Sequence, residues 1–171
     1  CRSPVCCLFW PRSALPPLTV FCSPVFTQSI AALLICTVIG ARTTESQTHR
    51  EMASGLSMPI GYKNSTAGSA TIAINAMQAA SKPHHFLGIN GDGQASIVST
   101  TGNPDGHLVL RGGDRGSNYH VDAVTAAASE LKNFGLENRL MVYCSQSDSN
   151  KDFRRHSYVL DSIAEQSRSG S

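Results

Sequence analysis

Charge is scarce in this chain: Asp, Glu, Lys and Arg make up 15% of its 171 residues, and the formal net charge is +2. So small a balance exerts little long-range pull on nucleic acid or on an acidic membrane, and neither is expected as a partner. There is no internal repeat and no long run of one sign, which excludes charged tails and solenoid arrays. Cysteines at C-x-x-C spacing are missing too, which removes the usual zinc-binding pattern. Five of the six cysteines (Cys1, Cys6, Cys7, Cys22 and Cys36) fall in the first 36 residues, and Cys144 stands alone. That clustering does not suit a disulfide framework spread over the chain. Free thiols in a reducing, cytoplasmic compartment are expected, with a secreted disulfide-bonded domain as the alternative.

Charge is absent altogether from residues 13–41. A stretch of that length raises a signal peptide or a membrane span. Pro16, Pro17 and Pro24, several Ser and Thr, and the lack of a small-residue cleavage site argue against both. A starting methionine is also lacking, which points to a fragment or a disturbed start.

Residues 1–22 show no clean period and are expected to be irregular. Residues 27–35 have helical composition. Beyond them the chain becomes regular. Strands are predicted at 36–41, 58–64, 84–90, 94–101, 107–113 and 139–145. Helices are predicted at 45–55, 69–81, 121–135 and 158–168. Gly55 and Gly135 read as left-handed helix stops. Ile72, Ala76 and Ala79 are expected on one face of the second of these helices. Strands at 84–90 and 94–101 pair as a hairpin across the "GDG" turn. The rest alternate strand and helix, the pattern of parallel βα units. Their strands are nearly continuous apolar runs, as expected where both faces of a sheet are covered.

Three of these strands end in a cation followed by small or polar residues: "VIGAR" in Arg42, "PIGYK" in Lys63 and "LVLR" in Arg111. In a (β/α) barrel the active site forms at the carboxyl ends of the strands. Three cations there would make an anion site, Arg as a planar fork and Lys as a point charge. Gly112 and Gly113 would let backbone N–H groups approach the anion. The plain alternative is that each cation merely snorkels at a strand end. His84 and His85 are adjacent on a strand, point to opposite faces and make a poor metal pair. His107 reads as a packing residue.

The blocks "GARTTESQ", "GYKNSTAG", "PHHFLGI", "LRGG" and "SNKDFRR" resemble, in order and spacing, the class I 3-deoxy-D-arabino-heptulosonate 7-phosphate (DAHP) synthases. The resemblance runs from about residue 24 to about residue 168 and is clearest from Gly40. It implies an α/β fold, part of a (β/α)8 TIM-type barrel spanning roughly strands four to seven. Residues 23–171 would form that part, with a β-hairpin inserted at about 84–101. It implies condensation of phosphoenolpyruvate with erythrose 4-phosphate, the first step of aromatic amino acid biosynthesis. It also implies a divalent metal of the manganese, iron or cobalt type to polarise the aldehyde. By similarity Arg42 and Arg111 hold the phosphate of phosphoenolpyruvate, and Lys63 neutralises charge near its carboxylate and enol. Ser57, Phe86 and Gly88 fall where such enzymes form an effector site for an aromatic amino acid, and a homo-oligomer is a possible assembly.

Departures from the family pattern are equally specific. The strand that usually reads D-[FYC]-S-H-[AG]-N-S is here Tyr143-Cys144-Ser145-Gln146-Ser147-Asp148-Ser149. Gln146 replaces a histidine that ligates metal in the family, and an amide oxygen is the weaker ligand for a transition metal. No "GPCS" or "KPRTT" block is present. A closed barrel needs about 250 residues. The expectation is therefore a truncated, catalytically impaired form that retains no metal. The alternative is a non-catalytic phosphate- or effector-binding, or interaction, remnant.

Overall fold

The computed structural model describes residues 18–21, 34–90 and 92–169. Five strands build one parallel sheet: β1 (Leu18–Phe21), β2 (Cys36–Ile39), β3 (Ile60–Lys63), β6 (Gly106–Leu110) and β7 (Leu140–Val142). They lie in the order β1-β2-β3-β6-β7. Between β3 and β6 the chain makes an antiparallel hairpin of β4 (His85–Ile89) and β5 (Ala95–Ser99). The main helices are α1 (Gln47–Ser54), α2 (Thr71–Ala80), α3 (Val121–Asn133) and α4 (His156–Ser169). Successive parallel strands lie side by side, with helices in the crossovers from β2 to β3, β3 to β6 and β6 to β7, the arrangement expected of part of a (β/α) barrel.

Burial follows the strand period. Ile60 and Tyr62 of β3 and Leu108 and Leu110 of β6 pack with Ile74 and Met77 of α2 and Leu131 of α3 in one hydrophobic core. The alternate residues point to the other face. There a Cβ on Gly61 would lie 2.7 Å from Val109 Cγ2, 2.8 Å from His107 Nε2 and 3.2 Å from Val38 Cγ2. A glycine is required because three neighbours already fill that layer. His107 packs within it, as its place at the start of a strand suggested.

Several expectations are corrected. Residues 18–21 form β1, inside the stretch read as irregular, so the parallel sheet has five strands rather than the four legible in the sequence. Most of the helix expected at 27–35 lies outside the described residues, and Leu34 and Ile35 are not helical. The strands are shorter than their apolar runs: β6 stops at Leu110 and β7 at Val142, and the residues beyond turn into loops at the site. On α2 the buried residues are Ala73, Ile74, Ala76, Met77 and Ala80, while Ile72 and Ala79 are only half-buried. Gly55 does cap α1, but at φ −98° rather than in the left-handed region. Its lack of a side chain serves close packing, since a Cβ would come within 2.9 Å of Thr100 Cγ2 where the hairpin docks. Gly135, at φ 71°, is the left-handed stop expected after α3.

Candidate functional site

The loops after β2, β3, β6 and β7 meet at the carboxyl rim of the sheet. After β2 the chain turns sharply: the N–H groups of Thr43 and Thr44 both donate to the Gly40 carbonyl at 3.0 Å. Their hydroxyls donate to the same oxygen at 3.0 and 2.9 Å. The Thr44 hydroxyl also reaches the Lys63 carbonyl at 3.2 Å, which ties this turn to the end of β3. The two threonines thus hold the turn that carries Arg42, which is exposed to solvent. Arg50 Nε donates to the Thr44 carbonyl at 2.9 Å and closes the turn from the side of α1.

Lys63 is the last residue of β3 and is buried, 6% exposed. Its ammonium stands 3.9 Å from the centroid of the Tyr143 ring, just beyond β7. The ring face stabilises a cation that burial strips of water. Lys63 pairs in register with Val109, which places Arg111 two residues further along the chain, just past the end of β6. Arg111 Nη2 reaches Ser147 Oγ at 3.4 Å, while its Nε is buried without a hydrogen-bond partner.

Behind these cations lies a network that the sequence did not disclose. Asn64, fully buried, donates through Nδ2 to the carbonyls of Ser65 and Gly112, both at 2.9 Å. Its Oδ1 accepts from the Arg111 N–H at 2.8 Å and from Asn118 Nδ2 at 3.3 Å. Asn118 Oδ1 accepts from the Gly112 N–H at 2.6 Å, and the Asn118 N–H donates to Asp148 Oδ1 at 2.8 Å. The only hint in the sequence was Asn64 directly after the cation of "GYKN"; Asn118 and Asp148 are 54 and 84 residues away from it in the numbering.

This network changes the role of the glycines. The Gly112 N–H is taken by Asn118, and the Gly113 N–H donates to the Gly116 carbonyl at 2.8 Å. Neither is aimed at an anion, contrary to expectation. The glycines permit close packing instead. A Cβ on Gly113 would sit 2.5 Å from the Gly68 nitrogen. One on Gly112, at φ 74°, would sit 2.7 Å from Ser147 Cβ. The backbone at these glycines therefore forms no open N–H cradle.

Burial raises the pKa of Asp148 above the ordinary carboxylate value, against the opposing pull of the Asn118 N–H, Arg111 and His120. Cys144 is raised as well, chiefly by burial. Gln146 begins a short 3-10 turn at φ 70°, and its carbonyl accepts from the Lys151 N–H at 2.8 Å. Among the described residues no group of three or more His, Cys, Asp or Glu side chains is arranged to hold a metal ion. At this rim the Gln146 amide is a weak ligand for a transition metal, and the Asp148 carboxylate already accepts from Asn118. His84 and His85 do not form a pair either: His84 Nε2 contacts the Ala79 carbonyl at 2.9 Å and His85 Nδ1 contacts Ser99 Oγ at 2.8 Å.

A separate cavity of about 530 Å³ lies between α1 and the hairpin, lined by Met52, Leu56, Phe86, Gly88, Val98 and Thr100 among others. Phe86 and Gly88 thus line one space. Ser57, the third residue expected there, is exposed beside Leu56 and is not part of the lining. A Ser54–Thr100 hydroxyl contact at 2.6 Å fixes the hairpin against α1 and shapes the cavity.

The family model of the DAHP synthetase I family matches residues 12–170. The chain is 51% identical over 156 residues to the Tyr-sensitive phospho-2-dehydro-3-deoxyheptonate aldolase of Escherichia coli, covering 91% of this chain and 44% of that protein. It is 46% identical over 157 residues to the Trp-sensitive aldolase of Salmonella typhimurium, covering 92% and 45%. The solved structure of phospho-2-dehydro-3-deoxyheptonate aldolase from Francisella tularensis superimposes with a TM-score of 0.86 at 42% identity, over 89% of this chain and 45% of that one. The chain therefore spans less than half the length of these relatives. Its sequence match and its parallel, partial TIM-type sheet agree, and the chain belongs to the DAHP synthetase I family.

Proposed function

We propose that this chain carries the phosphoenolpyruvate-gripping part of a DAHP synthase. The observation that supports this reading is the placement of Arg42, Lys63 and Arg111 at the carboxyl ends of three adjacent parallel strands. Arg111 and Arg42 take the phosphate, and Lys63, held over the Tyr143 ring, faces the carboxylate and enol. In the complete reaction carbon 3 of phosphoenolpyruvate attacks the aldehyde carbon of erythrose 4-phosphate. Water adds at carbon 2 and inorganic phosphate leaves. The cations lower the cost of bringing two phosphorylated anions together. A divalent metal supplies aldehyde polarisation in the family; among the described residues no three His, Cys, Asp or Glu side chains converge.

The cavity beside the hairpin, with Phe86 and Gly88 in its wall, is the proposed effector site for an aromatic amino acid. Leu87 and Ile97 form a cross-strand pair on the hairpin, 78% and 76% exposed, and support self-association there. Binding without turnover is the reading that the poor metal set favours. Titration calorimetry of the chain with phosphoenolpyruvate tests it. Arg111→Ala should abolish the binding, and an unchanged affinity would show that the anion site lies elsewhere. With manganese and both substrates the chain should form no DAHP above background.

A further inference from the structure

Asp148 is nearly fully buried, 4% exposed, and sits on the turn that Arg111 reaches through Ser147. One carboxylate oxygen accepts the Asn118 N–H at 2.8 Å. The other, Oδ2, is buried and has no hydrogen-bond partner, and the same is true of Arg111 Nε. The two groups attract one another electrostatically, yet they do not meet as an ion pair among the described residues. An unsatisfied anionic oxygen and an unsatisfied guanidinium N–H therefore share one poorly solvated corner. Such groups are costly to leave unpaired, and each is satisfied by any partner of opposite charge that comes within reach.

We propose that Asp148 limits the anion affinity of this site: its buried carboxylate opposes a phosphate-bearing ligand at Arg111. This rests on the reading of Arg111 as the phosphate-binding cation. A dianionic phosphate entering beside Arg111 meets the Asp148 charge at short range and in low dielectric, where repulsion is strong. A neutral side chain of the same shape removes that repulsion. In Asp148→Asn the amide oxygen still accepts from Asn118, and the amide N–H₂ becomes a donor toward the phosphate. His120, whose ring also lies near Asp148, is exposed, so it screens the carboxylate only weakly.

The test is titration calorimetry of the 171-residue chain near neutral pH with inorganic phosphate and, separately, phosphoenolpyruvate. Asp148→Asn is expected to bind both about tenfold more tightly than the parent chain, with an unchanged melting temperature. Asp148→Ala, which strands the Asn118 N–H, is expected to melt lower, and that separates the charge effect from the packing effect. Should Asp148→Asn fail to fold, Asp148→Ser carries the same expectation of tighter binding. Equal or weaker phosphate affinity in the folded neutral variant overturns the proposal. Arg111→Ala keeps the two readings apart. If it leaves phosphate affinity intact, the assignment of the anion site fails. If it abolishes binding while Asp148→Asn matches the parent, only the opposing role of Asp148 fails.

Discussion

Asn64→Ala is the sharpest probe of how the site is held together. The side chain is 0% exposed and joins the end of β3 to the loop after β6. Truncation removes the donor to the Gly112 carbonyl and the acceptor for the Arg111 N–H, and leaves a small cavity where the amide stood. Each stranded backbone group costs about 1–3 kcal/mol. Two of them, partly relieved by entering water, give a loss of about 3–4 kcal/mol. For a chain of this size 1 kcal/mol moves the melting temperature by about 2–4 °C. The expected fall is therefore roughly 10 °C, read by circular dichroism and checked against the urea midpoint. Phosphate affinity should drop with it, because Arg111 loses the bond that orients its backbone. A shift under about 2 °C would mean that the Asn64 bridge contributes little, and the account of the rim as an asparagine-linked network would be wrong.

Two further perturbations examine the layer beneath the site. Gly61→Ala pushes a methyl group to within 2.7 Å of Val109 Cγ2 and 2.8 Å of His107 Nε2. It should destabilise the chain by about 1–3 kcal/mol, seen as a lower urea midpoint, and a neutral or stabilising result would refute the tight packing. Burial, with Arg139 adding to it, lowers the His107 pKa below its ordinary value of 6.5. The unfolded imidazole then takes up a proton more readily than the folded one, so stability should fall as pH drops below about 6.5. His107→Gln should flatten that slope in urea titrations at several pH values. An unchanged slope would remove His107 as its source.

Much of the architecture was legible in the sequence because the strands are short apolar runs and the helices between them carry a 3.6-residue period. The hairpin was equally plain, since alternating residues flank a glycine-rich turn. Boundaries were less so. The apolar run around β6 continues to Arg111 and its glycines, yet the strand stops at Leu110, because Gly112 takes φ 74° and the loop packs against Ser147. β1 was missed because four residues with no periodic partner nearby look like loop until β2 pairs with them.

What the sequence determined by itself was the family, the βα order and the three strand-end cations, for each of these is written in local residue type and spacing. What only tertiary structure decided was the company those cations keep: Tyr143 beneath Lys63, Asn64 and Asn118 behind Arg111, and Asp148 beside it. Parallel strands bring together residues dozens of positions apart, and hydrogen bonds across such gaps leave no periodic trace in the chain. The glycines illustrate the same division. Their presence after Arg111 was visible at once, but their N–H groups bond to Asn118 and Gly116, and that became known only once the loops were folded against one another.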